Sequence, residues 1–173
     1  ASKGEGLGNQ FLGNIRECNA IIHVLRCFDD GNIVHVDGSV DPVRDKDVID
    51  MELQLKDLDT VEKRLDKAKK AARTGDKEAI KILAIIEKYQ SHLEAGKSIR
   101  SLDIDEESVK LIGDMQLLTE KPVLYVCNVD EVSAVSGNNH TKAVEELVKD
   151  EECEVMYLCA GIESDISELE TYD

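Results

Sequence analysis

The chain has 173 residues, enough for one domain with a sizeable core or for one domain carrying a protrusion. With 42% apolar and 34% charged residues it reads as globular, and 3% aromatic content without Trp leaves Leu, Ile, Val and Ala to fill the core. A net charge of −16 argues against a generally nucleic-acid-binding surface, and no apolar run approaches the roughly 20 residues of a membrane span.

Residues 1 to 9 are Gly-rich and polar, and a short helical pattern follows through Phe11, Leu12 and Ile15. Gly4-Glu-Gly6-Leu-Gly8 begins like a dinucleotide fingerprint, but G-x-G-x-x-G fails at Asn9 and no strand precedes it. Residues 20 to 28 run almost unbroken in apolar and β-branched side chains, which predicts a strand buried on both faces, as in a parallel sheet. A polar loop with Asp29, Asp30, Gly31 and Pro42 follows.

From Met51 the period becomes 3.5: Met51, Leu58, Leu65 and Ala72 recur every seven residues, with Val61 and Ala68 between them. Gly75 suits the end of that helix and Asp76 the N-cap of the next. A second seam runs through Ala79, Ile82, Ile86, Tyr89 and Leu93. So short a turn predicts an antiparallel helical hairpin of about 27 to 37 Å, read as a coiled-coil arm or as a hairpin folded onto the body. Residues 56 to 100 hold 12 Lys/Arg and 8 Asp/Glu, a net of +4, leaving 9 against 29, a net of −20, elsewhere. Lys63, Lys67, Lys70, Lys77 and Lys81 lie mostly off the seams near the tip, as a polyanion contact or as a solvated face.

Beyond Ser101, residues 105 to 115 predict a short helix, 122 to 127 a buried strand opened by Pro122, and 141 to 149 a helix. Residues 154 to 159 predict another strand, with a last helix from Ser164 cut short by the chain end. This is a βαβ unit with a parallel pair. The fold class is α/β, with residues 1–50 and 101–173 forming the sheet domain and 51–100 an inserted helical hairpin.

Cys18, Cys27, Cys127, Cys153 and Cys159 include no C-x-x-C pair and are odd in number, which fits free thiols in a reducing cytosol. A zinc site from Cys18, His23, Cys27 and His35 is disfavoured, because four residues of strand hold His23 and Cys27 about 13 Å apart. No metal site is expected.

Ligands of open parallel sheets bind beyond the C-terminal strand ends. Two sequences fall there: Asn128-Val-Asp-Glu131, and Cys159-Ala-Gly-Ile-Glu163 one βαβ unit later. Either alone reads as a plain turn, the first of Asx type. Together they resemble the base-recognition loops of P-loop GTPases, where Asn-Lys-x-Asp reads the purine edge and a Ser-Ala loop adds a backbone N–H. The opening residues 1 to 12 resemble the end of switch II in Obg-like NTPases. With Arg26-Cys-Phe28, Asn32-Ile-Val-His35 and Asp41-Pro42, the pattern resembles the YchF-type Obg-like ATPases over essentially the whole chain, a partial P-loop NTPase domain. The turn at 73 to 79 is similar to the bacterial branch.

That resemblance implies ATP hydrolysis in preference to GTP, a Mg²⁺ requirement, ribosome association in the cytoplasm and a C-terminal TGS domain. It implies base contacts from Asn128, the Val129 backbone, Glu131, Cys159, Ala160 and Gly161, and leaves Val129 without the stacking role of the usual Lys. Ser2, Lys3 and Glu5 become candidates to act near a γ-phosphate, or form a solvated loop. No G-x-x-x-x-G-K-[ST] occurs in the 173 residues. The phosphate cradle, the Mg²⁺ ligands and both switches' cores are therefore expected upstream of Ala1, with no catalytic residue here and with weak ATP binding and no turnover by this chain alone. The competing reading is a non-catalytic module whose basic hairpin docks on RNA or a ribosomal surface.

Overall fold

The computed structural model describes residues 12–30 and 39–169. The readings of Ser2, Lys3 and Glu5, of the opening glycines, and of Asn32 to His35 lie outside the described residues.

A helical stretch at 12–17 leads into strand β1 (Ile21–Arg26). Two helices follow, α1 (Pro42–Ala72) and α2 (Lys77–Glu94), then a 3-10 turn at Ile99–Ser101 and α3 (Glu106–Ile112). The chain continues as β2 (Val123–Asn128), α4 (Asn139–Val148), β3 (Glu154–Leu158) and α5 (Ala160–Ser167). Contacts divide it into two compact units, residues 12–19 with 49–122, and 20–48 with 123–169. Residues 101–122 thus group with the hairpin rather than with the sheet.

The sheet unit is three parallel strands in the order β1-β2-β3. Arg26 lies opposite Asn128, and Asn128 opposite Leu158, so all three strands end level. Leu25, Cys27, Val123, Tyr125, Cys127 and Val129 form one face and pack on Val144 and Val148 of α4. Lys46, itself buried, pairs with Glu151 at 2.9 Å and places its ammonium 5.3 Å from the Tyr125 ring centroid. The expectation of a β1 buried on both faces is corrected: Ile22 is 67% exposed and Val24 60%. An unbroken apolar run shows that a strand is apolar on both faces, not that both are covered.

In the other unit α1 and α2 form the hairpin, joined through residues 73–76. Val61, Leu65 and Ala68 of α1 share a core with Ile85, Ile86, Tyr89 and Leu93 of α2, closed by Ile99, Ile112 and Leu117. Gly75 takes φ +77°, and Asp76 caps α2 by accepting from the Glu78 and Ala79 amides at 3.3 Å. Two features differ from expectation. Helix α1 begins at Pro42, nine residues before Met51, with 31 residues and a length of about 46 Å. The missed signal is Asp41-Pro42: Asp41 Oδ1 accepts from the Arg44 amide at 3.1 Å, as an N-cap does, and Pro stands where a helix needs no N–H. Met51 is 61% exposed, while Leu53 packs with Leu12 and Leu118 instead. Counted back from the tip, α2 ends before it reaches the level of Met51, so the seven-residue seam has no partner there.

One buried carboxylate ties this unit together. Asp57 on α1 accepts from the Leu118 amide at 2.8 Å and from the Thr119 amide and hydroxyl at 2.7 Å. The Thr119 oxygen in turn accepts from the Ile99 amide at 3.1 Å. Burial pushes the Asp57 carboxyl upward, and these three donors oppose it.

Candidate nucleotide-base site

The level C-terminal ends of β2 and β3 bring the two predicted loops side by side. Asn128 is the last residue of β2, and its side-chain Oδ1 accepts from the Ala160 amide at 3.1 Å, bridging the loops. The sheet ladder continues one step further: the Cys27 amide donates to the Asn128 carbonyl at 2.7 Å, and the Val129 amide to the Leu158 carbonyl at 2.8 Å. Val129 is 2% exposed, with its side chain in the core beside Cys27, Cys127 and Val144. Its N–H is taken by the Leu158 carbonyl.

The Asx turn that Asn128 was a candidate for belongs instead to Asp130. Asp130 Oδ1 accepts from the Ser133 amide at 2.8 Å, and hydrogen bonds from Ser133 hold its carboxyl below the usual range. Glu131 is exposed, in a segment (131–136) that also exposes Val132 and Val135. Two carboxylates stand at adjacent positions, one engaged in the loop and one on the surface.

The second loop is corrected by the structure: α5 starts at Ala160, not at Ser164. Cys159 occupies the N-cap without a side-chain cap bond, and Ala160 and Gly161 are the exposed first helical residues. Gly161 has poor helix propensity and masked the start. This loop is therefore a first helical turn whose Ala160 amide is taken by Asn128, with Cys159 buried beneath it.

Cys27 and Cys127 are both fully buried on the covered face of the sheet. Contact with Cys127, followed by burial, pushes the Cys27 thiol far up, so it stays protonated and inert. His23 of the disfavoured zinc set packs at a tilt against Tyr125, 5.6 Å between ring centroids and 39° between planes. Among the described residues no group of three His, Cys, Asp or Glu is placed to hold a metal. On the hairpin, Lys63, Lys67, Lys70, Lys77 and Lys81 are all exposed, flanking the tip. Among the described residues no helix is long and apolar enough to cross a membrane.

Sequence reasoning missed Gly137 and Asn138, which close the loop that carries Glu131. The readable signal was Asn138-Asn-His-Thr141, an N-cap residue with a hydroxyl three positions on.

Comparison with known proteins gives a consistent family. No family model matches the chain. The chain is 48% identical over 172 residues to a Bacillus subtilis protein named ribosome-binding ATPase YchF, covering 98% of this chain and 47% of that relative. An Escherichia coli O157:H7 protein of the same name is 46% identical over 170 residues, with the same coverage. Among solved structures, the Schizosaccharomyces pombe YchF GTPase superposes with a TM-score of 0.84 at 34% identity, over 98% of this chain and 47% of that one. The chain spans about half the length of the curated relatives it matches. Similarity of this degree along nearly every residue, joined to the bridged loops at the ends of β2 and β3, makes the chain a member of the YchF family of Obg-like P-loop NTPases.

Proposed function

We propose that residues 128–131 and 159–161 form the base-recognition part of a nucleotide site, and that the natural protein binds and hydrolyses ATP in preference to GTP and associates with ribosomes. The observation that carries this reading is the Asn128–Ala160 bridge, which unites the two loops at the sheet edge where parallel α/β folds take their ligands. In this reading Asn128 holds both loops and meets the purine edge. The Val129 backbone runs along the adenine edge, and the Gly161 amide faces the ring, the Ala160 amide being held by Asn128. Glu131 stands where a shorter carboxylate would clamp guanine. The phosphates and Mg²⁺ are assigned to none of these residues. Two relatives are named ribosome-binding ATPases and a solved one a GTPase, so base choice needs a residue-level cause. Ribosome association would place the protein in the cytoplasm, and the exposed lysines of the hairpin are the proposed polyanion contact.

Ribosome sedimentation with the full-length natural protein tests the reading. Association should change with ATP, and a nucleotide-blind interaction would favour the purely docking role of the hairpin. Reversing charge at Lys67 and Lys70 together should weaken association and lower the slope of log affinity against log salt by about 2. ATP turnover without ribosomes should stay unchanged. If binding persists while turnover falls, the hairpin serves the fold rather than the ribosome.

A further inference from the structure

Asn138 uses every hydrogen-bonding group of its side chain. Oδ1 accepts from the His140 amide at 2.9 Å and the Thr141 amide at 3.1 Å, capping α4. Nδ2 donates to the Cys27 carbonyl at 2.7 Å and to Ser133 Oγ at 3.3 Å. A helix cap needs only the oxygen, which Ser or Asp supplies about equally well. The amide nitrogen does something further: it fastens the end of β1 and the middle of the 129–138 loop to one side chain. A second tie runs parallel to it, from His140 Nε2 to the Asp29 carboxylate at 3.2 Å.

The neighbouring positions leave little freedom. Gly137 has φ +67°, and a Cβ there would lie 2.4 Å from Thr141 Oγ1 and 2.9 Å from the Tyr157 ring. The Gly137 amide donates to the Ser133 carbonyl at 2.8 Å. Buried Thr141 completes the lock, accepting from the Asn138 amide and donating to the Asn138 carbonyl, each at 2.9 Å. The loop is thus anchored at its start by Asn128 to Ala160 and at its end by Asn138 to Cys27. Glu131 lies between the anchors on the exposed stretch, so both set where its carboxylate stands.

We propose that Asn138 is a positioning residue for nucleotide-base selection, acting through its amide nitrogen on the loop that carries Glu131; this rests on the reading of 128–131 and 159–161 as the base site. Asn138→Ser and Asn138→Asp keep a cap oxygen and remove the donor, so loop placement is separated from helix capping. The Ser variant adds no charge facing the Cys27 carbonyl and serves if the Asp variant folds poorly. The measurement is equilibrium binding of ATP, GTP and inorganic tripolyphosphate to the full-length natural protein and both variants. ATP affinity should fall about tenfold and the ATP-to-GTP ratio should move towards one. Affinity for tripolyphosphate, which carries no base, should hold, with the melting temperature within about 4 °C of the parent. An unchanged ATP-to-GTP ratio in the folded variants overturns the proposal, as does a parallel loss of ATP and tripolyphosphate binding. A parent protein that binds tripolyphosphate as tightly as ATP overturns the base-site reading itself, and the proposal with it.

Discussion

Replacing Asp57 by Ala is expected to lower the unfolding free energy of the hairpin unit by about 3 to 5 kcal/mol. The carboxylate is fully buried and accepts from the Leu118 amide, the Thr119 amide and the Thr119 hydroxyl. Removing it leaves three buried donors without their acceptor, each costing about 1 to 3 kcal/mol, though not additively. The consequence spreads because Thr119 also holds the 3-10 turn, through the Ile99 amide to its hydroxyl and the Arg100 amide to its carbonyl at 3.0 Å. Asp57→Asn should cost less, since the amide keeps one acceptor, but it sets an NH₂ against a remaining donor. Urea denaturation followed by circular dichroism reads both variants. A loss under about 1 kcal/mol for Asp57→Ala would mean that the 118–119 turn is held by packing alone.

Glu131→Asp is expected to strengthen GTP binding by the full-length natural protein by about 10- to 150-fold, with ATP affinity little changed. An Asp carboxylate there can accept from guanine N1–H and the 2-amino group together. Glu131 is one methylene longer and does not meet both donors in the same bidentate geometry. Adenine has an acceptor at N1 and no 2-amino group, so it gains nothing from either carboxylate. The structure also decides which variant to make. Adding Val129→Lys, to restore the residue common in GTPases, would push an ammonium into the core beside Cys127 and Val144. The single substitution therefore isolates base choice from stability. Competition binding that leaves the ATP-to-GTP ratio of Glu131→Asp at the parent value would remove Glu131 from base selection.

Much of this was legible in the residues, for reasons that differ between elements. The second hairpin seam was readable because Ile86, Tyr89 and Leu93 keep helical spacing against a partner that exists along the whole of α2. The same pattern misled at Met51, because periodicity reports one face of a helix and not where its partner ends. The start of α1 was hidden by a polar first turn, although Asp41 and Pro42 carry the signal in capping chemistry rather than in hydropathy. The exposed face of β1 was not legible at all: composition describes what a strand offers, and coverage depends on elements far away in sequence. At the site, Asn128 and its neighbours could be placed from the βαβ spacing. The bridge to Ala160 and the inward turn of Val129 are tertiary facts, and so is the Asn138 clasp on Cys27, 111 residues away in the chain.

In the proposed function Asn128 and the loops it joins read the base of a bound nucleotide. Calorimetric titration of the full-length natural protein and its Asn128→Ala variant with ATP and with inorganic tripolyphosphate separates the base contact from the phosphate contacts. Loss of Asn128 removes the Ala160 bridge and a purine contact together, so ATP affinity should fall by at least about tenfold while tripolyphosphate binding stays the same. Equal ATP affinity in the parent and variant, or an equal loss for both ligands, would contradict that function.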